Sequence, residues 1–586
     1  MGLTWYVKRA RRMSAREIGV KLFQHAYAPF IARKLARSTE TAILRQDTRL
    51  PFELANLEDL YVPDIVNVAE RVKRGERWVL GLGWVGSEQW DWCSDPGTGM
   101  YWPAIPSHRI DYRKPGTEIR LTWELNRFHD LTVMSQAFHV SRDVSYLAEI
   151  ERRFGDWVAR NPVGTGPNWV SAMEAAIRIV NMTWVARLVH RYRPRLVEKI
   201  GHQIAIHEGY ISHHLSLGSS ANNHLLLELM GLAFAHAFWN FPTKPEKTED
   251  YVGRFTAELD RQTGPGGMNR EMSSHYHVFA AESAVHVLCA ARARSLEPEK
   301  LTEVLGRMRV VVQALTIKEG ICRFGDDDEG QIVRIVGPTD KWEHVLAGMG
   351  TSPWLLLDPV SPEEPSSLQV FDGVVVIRQG SYRVVTDGGS AGLGPLYAHA
   401  HDDGGSIYIG YEGHWFVEDA GTGAYFRDVS LRKSLAEAGA HNGPSCPCKQ
   451  GRMDGPFTWE RTPLEFKVAQ TSKDREQGRF RVVLAEGTSH LRRTITVSPS
   501  GIGIQDRCRG EPLTVTVTIP ASWAASTGES DEWVFTRQHT RISLRWKGEA
   551  PTLSQVSTPR FGGGNDLGWQ LTWRKSELLE WGIVSC

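Results

Sequence analysis

The chain has 586 residues, 68 basic and 68 acidic side chains, 41% hydrophobic and 10% aromatic residues, 21 tryptophans and seven cysteines. That length exceeds what one hydrophobic core usually serves, so at least two domains are expected. A formal net charge of zero excludes a globally basic nucleic-acid coat and an acidic disordered tail.

From the start of the chain, charge is balanced globally but not locally. Residues 1–50 carry 11 Lys/Arg against three Asp/Glu, including Lys8, Arg9, Arg11 and Arg12. A solvated helix face explains this, and an anion-facing surface is the sharper reading. The opening MGLTWYVKRARRMSAREIGV has no apolar run of the secretory type, and no later stretch reaches ~18 uncharged apolar residues. No membrane span is expected. As written, the chain reads as cytoplasmic, or as periplasmic or secreted if an export signal has been removed. Ser14 followed by Glu17 has the spacing of a capping box.

Up to about residue 350 the period is helical. SAMEAAIRIVNMTWVARLVHRY, NNHLLLELMGLAFAHAFW and HYHVFAAESAVHVLCAARARSL repeat apolar residues at three- and four-residue spacing. These helices are apolar nearly all round, so they pack on both sides, as in a multi-helix toroid or layered bundle. SPEEPSSLQ at 361–369 reads as a linker. After it the period becomes two, in VFDGVVVIRQGSYRVVTDG, SIYIGYEGHWFVEDAG, FRVVLAEGTSHLRRTITVSP, GIGIQDRCRG and LTVTVTIPA. The predicted class is a multidomain α+β chain: a helical extension over 1–90, an (α/α) toroid over 91–360, and an antiparallel β-sandwich or layered sheet over 370–586. The odd, scattered cysteines imply no disulfide framework.

Four places concentrate polarity. Ser219-Ser220-Ala221-Asn222-Asn223-His224 opens an apolar helix; capping explains the serines and one Asn, and the remaining Asn and His suit a carboxylate at a helix N-terminus. Glu271-Met272-Ser273-Ser274-His275-Tyr276-His277 opens another, where Tyr276 alone reads as a packed aromatic. In Tyr397-Ala398-His399-Ala400-His401-Asp402-Asp403, strand alternation would put both histidines on one face. Val417-Glu418-Asp419-Ala420-Gly421 and Ala440-His441-Asn442 complete a His401, Asp419, His441 set suited to Zn²⁺ or Mn²⁺. The bland reading of Asp326-Asp327-Asp328, Asp402, Asp403 and Asp419 is a solvated turn.

Together these blocks resemble the heparinase II/III-like polysaccharide lyases. The resemblance rests on SSANNH at 219–224, NWVSAMEAAIRI at 168–179, GMNREMSSHYH at 267–277 and RFGDDDEG at 323–330. HAHDDGGS at 399–406, VEDAGTGAY at 417–425 and His441-Asn442 continue it. The agreement in block order covers roughly residues 120–450; one departure is the Cys-Pro-Cys at 446–448, where a short strand is expected. The resemblance implies a toroid followed by an antiparallel sheet domain, and β-elimination on a uronate-containing anionic polysaccharide, a glycosaminoglycan or an alginate-like polymer. It implies that Asn223 and His224 hold the uronate carboxylate, Tyr276 is the catalytic phenol, and His399 the second catalytic group. It implies one divalent ion, Zn or Mn, on His401, Asp419 and His441. Trp169, Glu174 and Arg178 would share one helix, with Trp169 either stacking on a sugar or packing in the core; Arg270 and Arg432 would meet sulfate or carboxylate. The alternatives are a glycoside hydrolase on the same toroid, which needs two facing carboxylates, and a non-catalytic polysaccharide-binding protein. No nucleic-acid partner is expected, and the oligomeric state is left open.

Overall fold

In the computed structural model, residues 13 and 15–585 are described except 57–59, 87–90, 219–220, 335–340, 350–356, 358–359, 362–365, 447–450, 475–476, 488–489, 529–530, 560–564 and 576–577. Ser14, and with it the capping-box reading, lies outside the described residues. The chain divides into two compact units: 1–262, 278–306 and 329–359 form a helical unit, and 263–277, 307–328 and 360–586 form a sheet unit.

The helical unit is built from α1 (Ala15–Ala36), α2 (Val62–Lys73), α3 (His129–Ser141), α4 (Ser145–Arg160), α5 (Ala172–Val189), α6 (Pro194–His213), α7 (Asn223–Phe238) and α8 (Thr248–Gln262). Every residue of α5 is buried, as a helix apolar nearly all round requires. It packs against α3, α6 and α7. Gly231 of α7 permits the approach to α5, because a Cβ there would sit 2.5 Å from that of Ala176. α8 is amphipathic instead, burying Tyr251, Val252, Phe255 and Leu259 on one stripe. Among the described residues no helix is long and apolar enough to cross a membrane. Two further helices, α9 (Ser274–Ala293) and α10 (Glu299–Leu315), are divided between the units.

The sheet unit contains three larger antiparallel sheets. The first is a meander of β1 (Ser366–Phe371), β2 (Val374–Gln379), β3 (Tyr382–Asp387), β4 (Ile407–Tyr411) and β5 (His414–Val417). Asp372-Gly373 and Glu412-Gly413 close two-residue hairpins with positive φ at both central positions, the conformation that matches strand twist. The linker predicted over 361–369 is therefore already strand from Ser366. After β5 come α11 (Val429–Ala436), β6 (Pro444–Ser445), β7 (Arg452–Gly455) and β8 (Thr458–Arg461). The strands β9 (Phe466–Asp474), β10 (Arg479–Glu486), β11 (Leu491–Ser498), β12 (Gly501–Cys508), β13 (Leu513–Pro520), β14 (Ala524–Thr527), β15 (Glu532–Arg537), β16 (Thr540–Trp546), β17 (Thr552–Pro559), β18 (Asn565–Lys575) and β19 (Leu578–Ser585) complete the unit. The sheet orders are β9-β10-β11-β12-β19-β16-β15-β14 and β6-β13-β18-β17. β6 is a short strand directly ahead of Cys446, pairing Pro444 and Ser445 with β13; Pro447 and Cys448 lie outside the described residues. The described cysteines are buried.

β2 shows why the unit boundaries differ from the linear ones. Its Val375 and Ile377 enter the large core with β10, β11 and β12, while Val374 and Val376 face Met268, Met272, Val311 and Phe324. The apolar side chains of 263–277 and 307–328 are thus needed to cover the second face of the meander. Asp372 fixes that layer by accepting the Gly266 and Met268 N–H groups, each at 3.0 Å.

Glu228, inside α7, offers a test of burial in the helical unit. It accepts the Ser216 N–H at 2.6 Å and hydroxyl at 2.7 Å, yet burial outweighs both and pushes its carboxyl up to about 8. A carboxyl raised on folding favours the protonated folded state, so its contribution is lost as pH rises from about 4.5 to about 8. Glu228→Gln is expected to flatten the fall in unfolding free energy between these limits and to stabilise the protein by on the order of 2–4 kcal/mol above pH 8. Denaturant titrations across that window read the difference, and parallel pH curves for the two proteins would refute the assignment.

Candidate active site

The first turn of α9 carries Tyr276 into the sheet unit's polar cluster. Ser273 accepts the Tyr276 N–H at 3.1 Å, capping the helix, and donates its hydroxyl to the Asp326 carbonyl at 2.6 Å. The Tyr276 hydroxyl donates to Asp328 Oδ2 at 3.1 Å and lies 3.2 Å from the Tyr425 hydroxyl. Its ring stacks on His399, with centroids 3.9 Å apart and 27° between planes. Asp328 Oδ1 is 3.0 Å from His275 Nε2. Burial pushes the neighbouring Tyr425 phenol well up, and Asp326 and Asp328 add to the effect.

Asp326 is the centre of this cluster. Its Oδ2 meets His399 Nδ1 at 2.9 Å, its Oδ1 meets His401 Nε2 at 2.8 Å, and Arg432 reaches the two oxygens at 2.6 and 3.1 Å. Burial alone would raise this carboxyl; the Arg432 charge and the two imidazole contacts outweigh burial and hold it well below the usual range. An ionised Asp326 takes the Nδ1–H of His399, which leaves Nε2 as the acceptor nitrogen. Glu271 Oε2 lies 3.6 Å from that Nε2. His399 and His401 are not placed by strand alternation as expected. They sit in a turn before β4, entered through Tyr397 at φ 52°, and share a partner because both bend toward Asp326.

His401, Asp419 and His441 do converge: one donor atom of each lies within 4.8 Å of the others. His441 Nδ1 is 2.8 Å from Asp419 Oδ2. His401 Nδ1 and His441 Nε2 are buried with no hydrogen-bond partner. Two buried imidazole lone pairs beside a carboxylate are the donor set of a borderline divalent cation. The surrounding acidic groups favour positive charge here: burial lowers His441, but the charge and hydrogen bond of Asp419, then Asp403 and Asp402, raise it to about 9, so a bound cation would have to displace the His441 proton. Asp326 acts behind this group by fixing His401 through Nε2, the arrangement that orients a metal-binding imidazole.

Several expected roles change. Arg432 is buried, paired with Asp326 and donating Nε–H to the Pro456 carbonyl at 3.1 Å, so it positions Asp326 and does not meet an anion from solvent. Arg270 is exposed. Trp169 is not on the helix with Glu174 and Arg178; it lies in a 3-10 turn, Pro167–Trp169, ahead of α5. Its indole is 1% exposed, packs against His207, Tyr210 and Trp157, and donates to the Asn161 carbonyl at 3.1 Å. Core packing, not sugar stacking, is its place. Glu174 takes a two-pronged contact from Arg127 at 2.8 Å, and Arg178 donates to the Asn168 carbonyl at 2.7 Å and to His207 at 3.0 Å. Both are interior residues of the helical unit. Asn223 and His224 open α7, with Asn222 capping the His224 N–H at 3.2 Å; they belong to the helical unit, and Tyr276 and His399 to the sheet unit. Ser219 and Ser220 lie outside the described residues.

The solvated-turn reading of the carboxylates is also corrected. Asp326, Asp328, Asp402 and Asp403 are all buried. Asp402 accepts the Gly451 and Leu464 N–H groups, each at 2.6 Å, and Asp403 accepts that of Gly325 at 3.3 Å. Asp326, Asp328, Tyr425 and Glu271 are the site residues that residue patterns alone did not single out. The run Phe324-Gly325-Asp326-Asp327-Asp328 beside an otherwise apolar segment was the available signal.

The heparinase II/III N-terminus model matches residues 88–326, and the heparinase II/III-like C-terminal model matches residues 367–565. The chain belongs to the heparinase II/III-like family. A heparin-sulfate lyase of Pedobacter heparinus is 21% identical over 339 residues, 54% of this chain and 50% of that one. One from Bacteroides stercoris is 24% identical over 204 residues, 31% of this chain and 30% of that one. The chain thus spans half the length of the first of these relatives and under a third of the second. The fold is that of the solved heparinase III, with a TM-score of 0.63 and 14% identity over 98% of this chain and 93% of the other.

Asp326→Asn would leave Arg432 buried without its counter-charge. The expected loss is about 3–5 kcal/mol of unfolding free energy. Adding Arg432→Met to that variant should recover part of it, since the orphaned charge is then gone. A loss under about 1 kcal/mol would mean the pair behaves as a solvated surface contact.

Proposed function

We propose that this protein is a polysaccharide lyase that cleaves a uronate-containing glycosaminoglycan by β-elimination. The observation that carries the reading is the stacked Tyr276–His399 pair, each member held by its own buried carboxylate. A phenol donating to Asp328 is set to deliver a proton, and an imidazole whose Nδ1–H is held by Asp326 is set to take one at Nε2. In the proposed reaction His399 Nε2 removes the C5 proton of the uronate. The C5 electron pair forms the C4=C5 bond as the C4–O bond breaks, and Tyr276 protonates the departing oxygen. Glu271 and Asp326 then face the imidazolium that His399 has become. Tyr276, the expected catalytic phenol, takes the part of the acid here, because Asp328 is an acceptor placed to keep the phenol a donor.

The C5 proton is acidic enough only if the adjacent carboxylate is neutralised as the enediolate develops. Asn223 and His224 are the proposed partners for that carboxylate, and exposed Arg270 for a sulfate or a second carboxylate. His401, Asp419 and His441 would hold one Zn²⁺ or Mn²⁺ ion. When bound, that ion would supply architecture, tying the turn that bears His399 and His401 to Asp419 just after β5 and to His441 after the 3-10 turn Ala438–Ala440. The hydrolase alternative needs a facing pair of carboxylates with one free to protonate the leaving group. Asp326, Asp328, Asp402 and Asp403 each already have the partners named above, which favours elimination.

Incubation with hyaluronan, chondroitin sulfates, heparan sulfate, heparin and alginate, read by ultraviolet absorbance of an unsaturated uronate, tests the reaction and its substrate. Tyr276→Phe retains the stacked ring and should lower kcat at least about a hundredfold with an unchanged melting temperature. Asn223→Ala and His224→Ala should act mainly on kcat, since their contacts strengthen as charge develops. Near wild-type turnover in Tyr276→Phe would remove the phenol from the mechanism.

The metal has its own test. Elemental analysis of untreated, gel-filtered protein should find one divalent ion per chain, and Asp419→Ala or chelation should lower melting temperature and turnover together. Active protein without metal would refute the site and leave Tyr276 and His399 unaffected.

A further inference from the structure

The helix that precedes the family-matched segments has a face the proposed reaction does not use. α1 packs on the helical unit through one side only: Glu17, Ile31 and Leu35 are buried, and Gln24 donates to the Leu215 carbonyl at 3.1 Å. Its opposite side is apolar and open to solvent. Leu22 is 67% exposed, Phe23 59%, Tyr27 48% and Phe30 62%. With Gly19 and Ala26, also exposed, these residues recur at three- and four-residue spacing and form one stripe. The rings of Phe23 and Tyr27 stack at 4.1 Å, and Tyr27 meets Phe30 edge-on at 6.4 Å. Continuing the same spacing, Arg33, Lys34 and Arg37 are exposed at the C-terminal end of the stripe. In sequence, Lys8, Arg9, Arg11 and Arg12 precede its other end.

We infer that this face of α1 lies on an anionic lipid surface. An apolar centre of Leu and Phe with Tyr beside it, bounded along the chain by Lys and Arg, is the composition of a helix that rests in the interface plane of a bilayer. The charge pattern separates lipid from the other coverings. A second copy of α1 would bring like charges together at the helix ends. A sulfated or uronate chain would satisfy Arg33, Lys34 and Arg37 but offers little apolar volume for Leu22, Phe23 and Phe30. An anionic bilayer supplies both the phosphate layer and the acyl region. The helix lies on the membrane in this reading and does not span it, consistent with its half-buried packing side.

Co-sedimentation of the full-length protein with vesicles tests this directly. Vesicles of phosphatidylcholine mixed with an equal amount of phosphatidylglycerol should pellet the protein, and vesicles of phosphatidylcholine alone should not. Neutralising Arg33, Lys34 and Arg37 to Gln together should weaken partitioning about a hundredfold, at about fivefold per cation near a charged surface. Phe23→Ser with Phe30→Ser should abolish it, with the melting temperature unchanged because both rings are already exposed. Wild-type protein that stays in the supernatant with both vesicle types would overturn the inference. So would undiminished vesicle binding by the Phe23→Ser, Phe30→Ser variant. A dimer in sedimentation velocity that this double variant dissociates, without lipid binding, would assign the face to a second copy. Heparin retention lost in the Gln variant alone, again without lipid binding, would assign it to polysaccharide.

Discussion

A carboxylate with no surface in water must have its oxygens matched by donors, and Asp326 meets that demand by drawing His399, His401 and Arg432 onto one point. Much of the site's order follows from this. The two histidines are one residue apart in a turn, so no regular strand geometry holds them; their common acceptor does. The same contacts set their tautomers. His399 is left with Nε2 as acceptor beside Tyr276, and His401 is left with a buried Nδ1 lone pair near Asp419 and His441. One ionised group thereby holds the imidazole that stacks on Tyr276 on one side and one of three converging donor side chains on the other. Arg432 completes the balance: without it, a buried carboxylate between two imidazoles would tend to neutralise.

The elements that bring Asp326 there explain why the sheet unit borrows chain from the helical half. The loop after α10 and the segment before α9 supply Phe324, Met268 and Met272 to the outer face of β2. That apolar contact positions Asp326 and Asp328 a few residues further on, and Ser273 and Tyr276 alongside. The Asp372 side chain, accepting two N–H groups from the Gly266–Met268 turn, adds a polar fixture to the same layer. Packing and chemistry are therefore coupled here, and a cavity made at Met272 or Phe324 would be felt by the hydroxyl of Tyr276.

The broad architecture was legible because its signals are local. Alternation in GIGIQDRCRG or LTVTVTIPA and three-four spacing in AMEAAIRIVNMTWVARLV are properties of each segment alone. The His401, Asp419, His441 grouping was also readable, from residue types and from the family resemblance. Depth was not. Asp326-Asp327-Asp328 has the composition of a solvated turn, and the partner that reverses the reading, Arg432, is more than a hundred residues away. Arg432 and Trp169 misled for the mirror-image reason: guanidinium and indole are good ligands for an anionic sugar, and nothing nearby in sequence says that both are already enclosed. Tyr276 by residue pattern reads as a packed aromatic, and the family resemblance alone marked it; the structure surrounds its hydroxyl and ring with Asp328, Tyr425 and His399.

Family membership and the heparinase III fold bear on architecture; the reaction rests on how the hydroxyl of Tyr276 and the imidazole of His399 are held. Elimination and hydrolysis differ by one water, and its oxygen can be followed. Cleavage of the responsive polymer in oxygen-18 water should yield fragments that carry no solvent oxygen at the broken linkage and a non-reducing uronate lighter by one water. Incorporation of one labelled oxygen per cleavage, with a saturated uronate, would contradict the lyase account and favour a hydrolase.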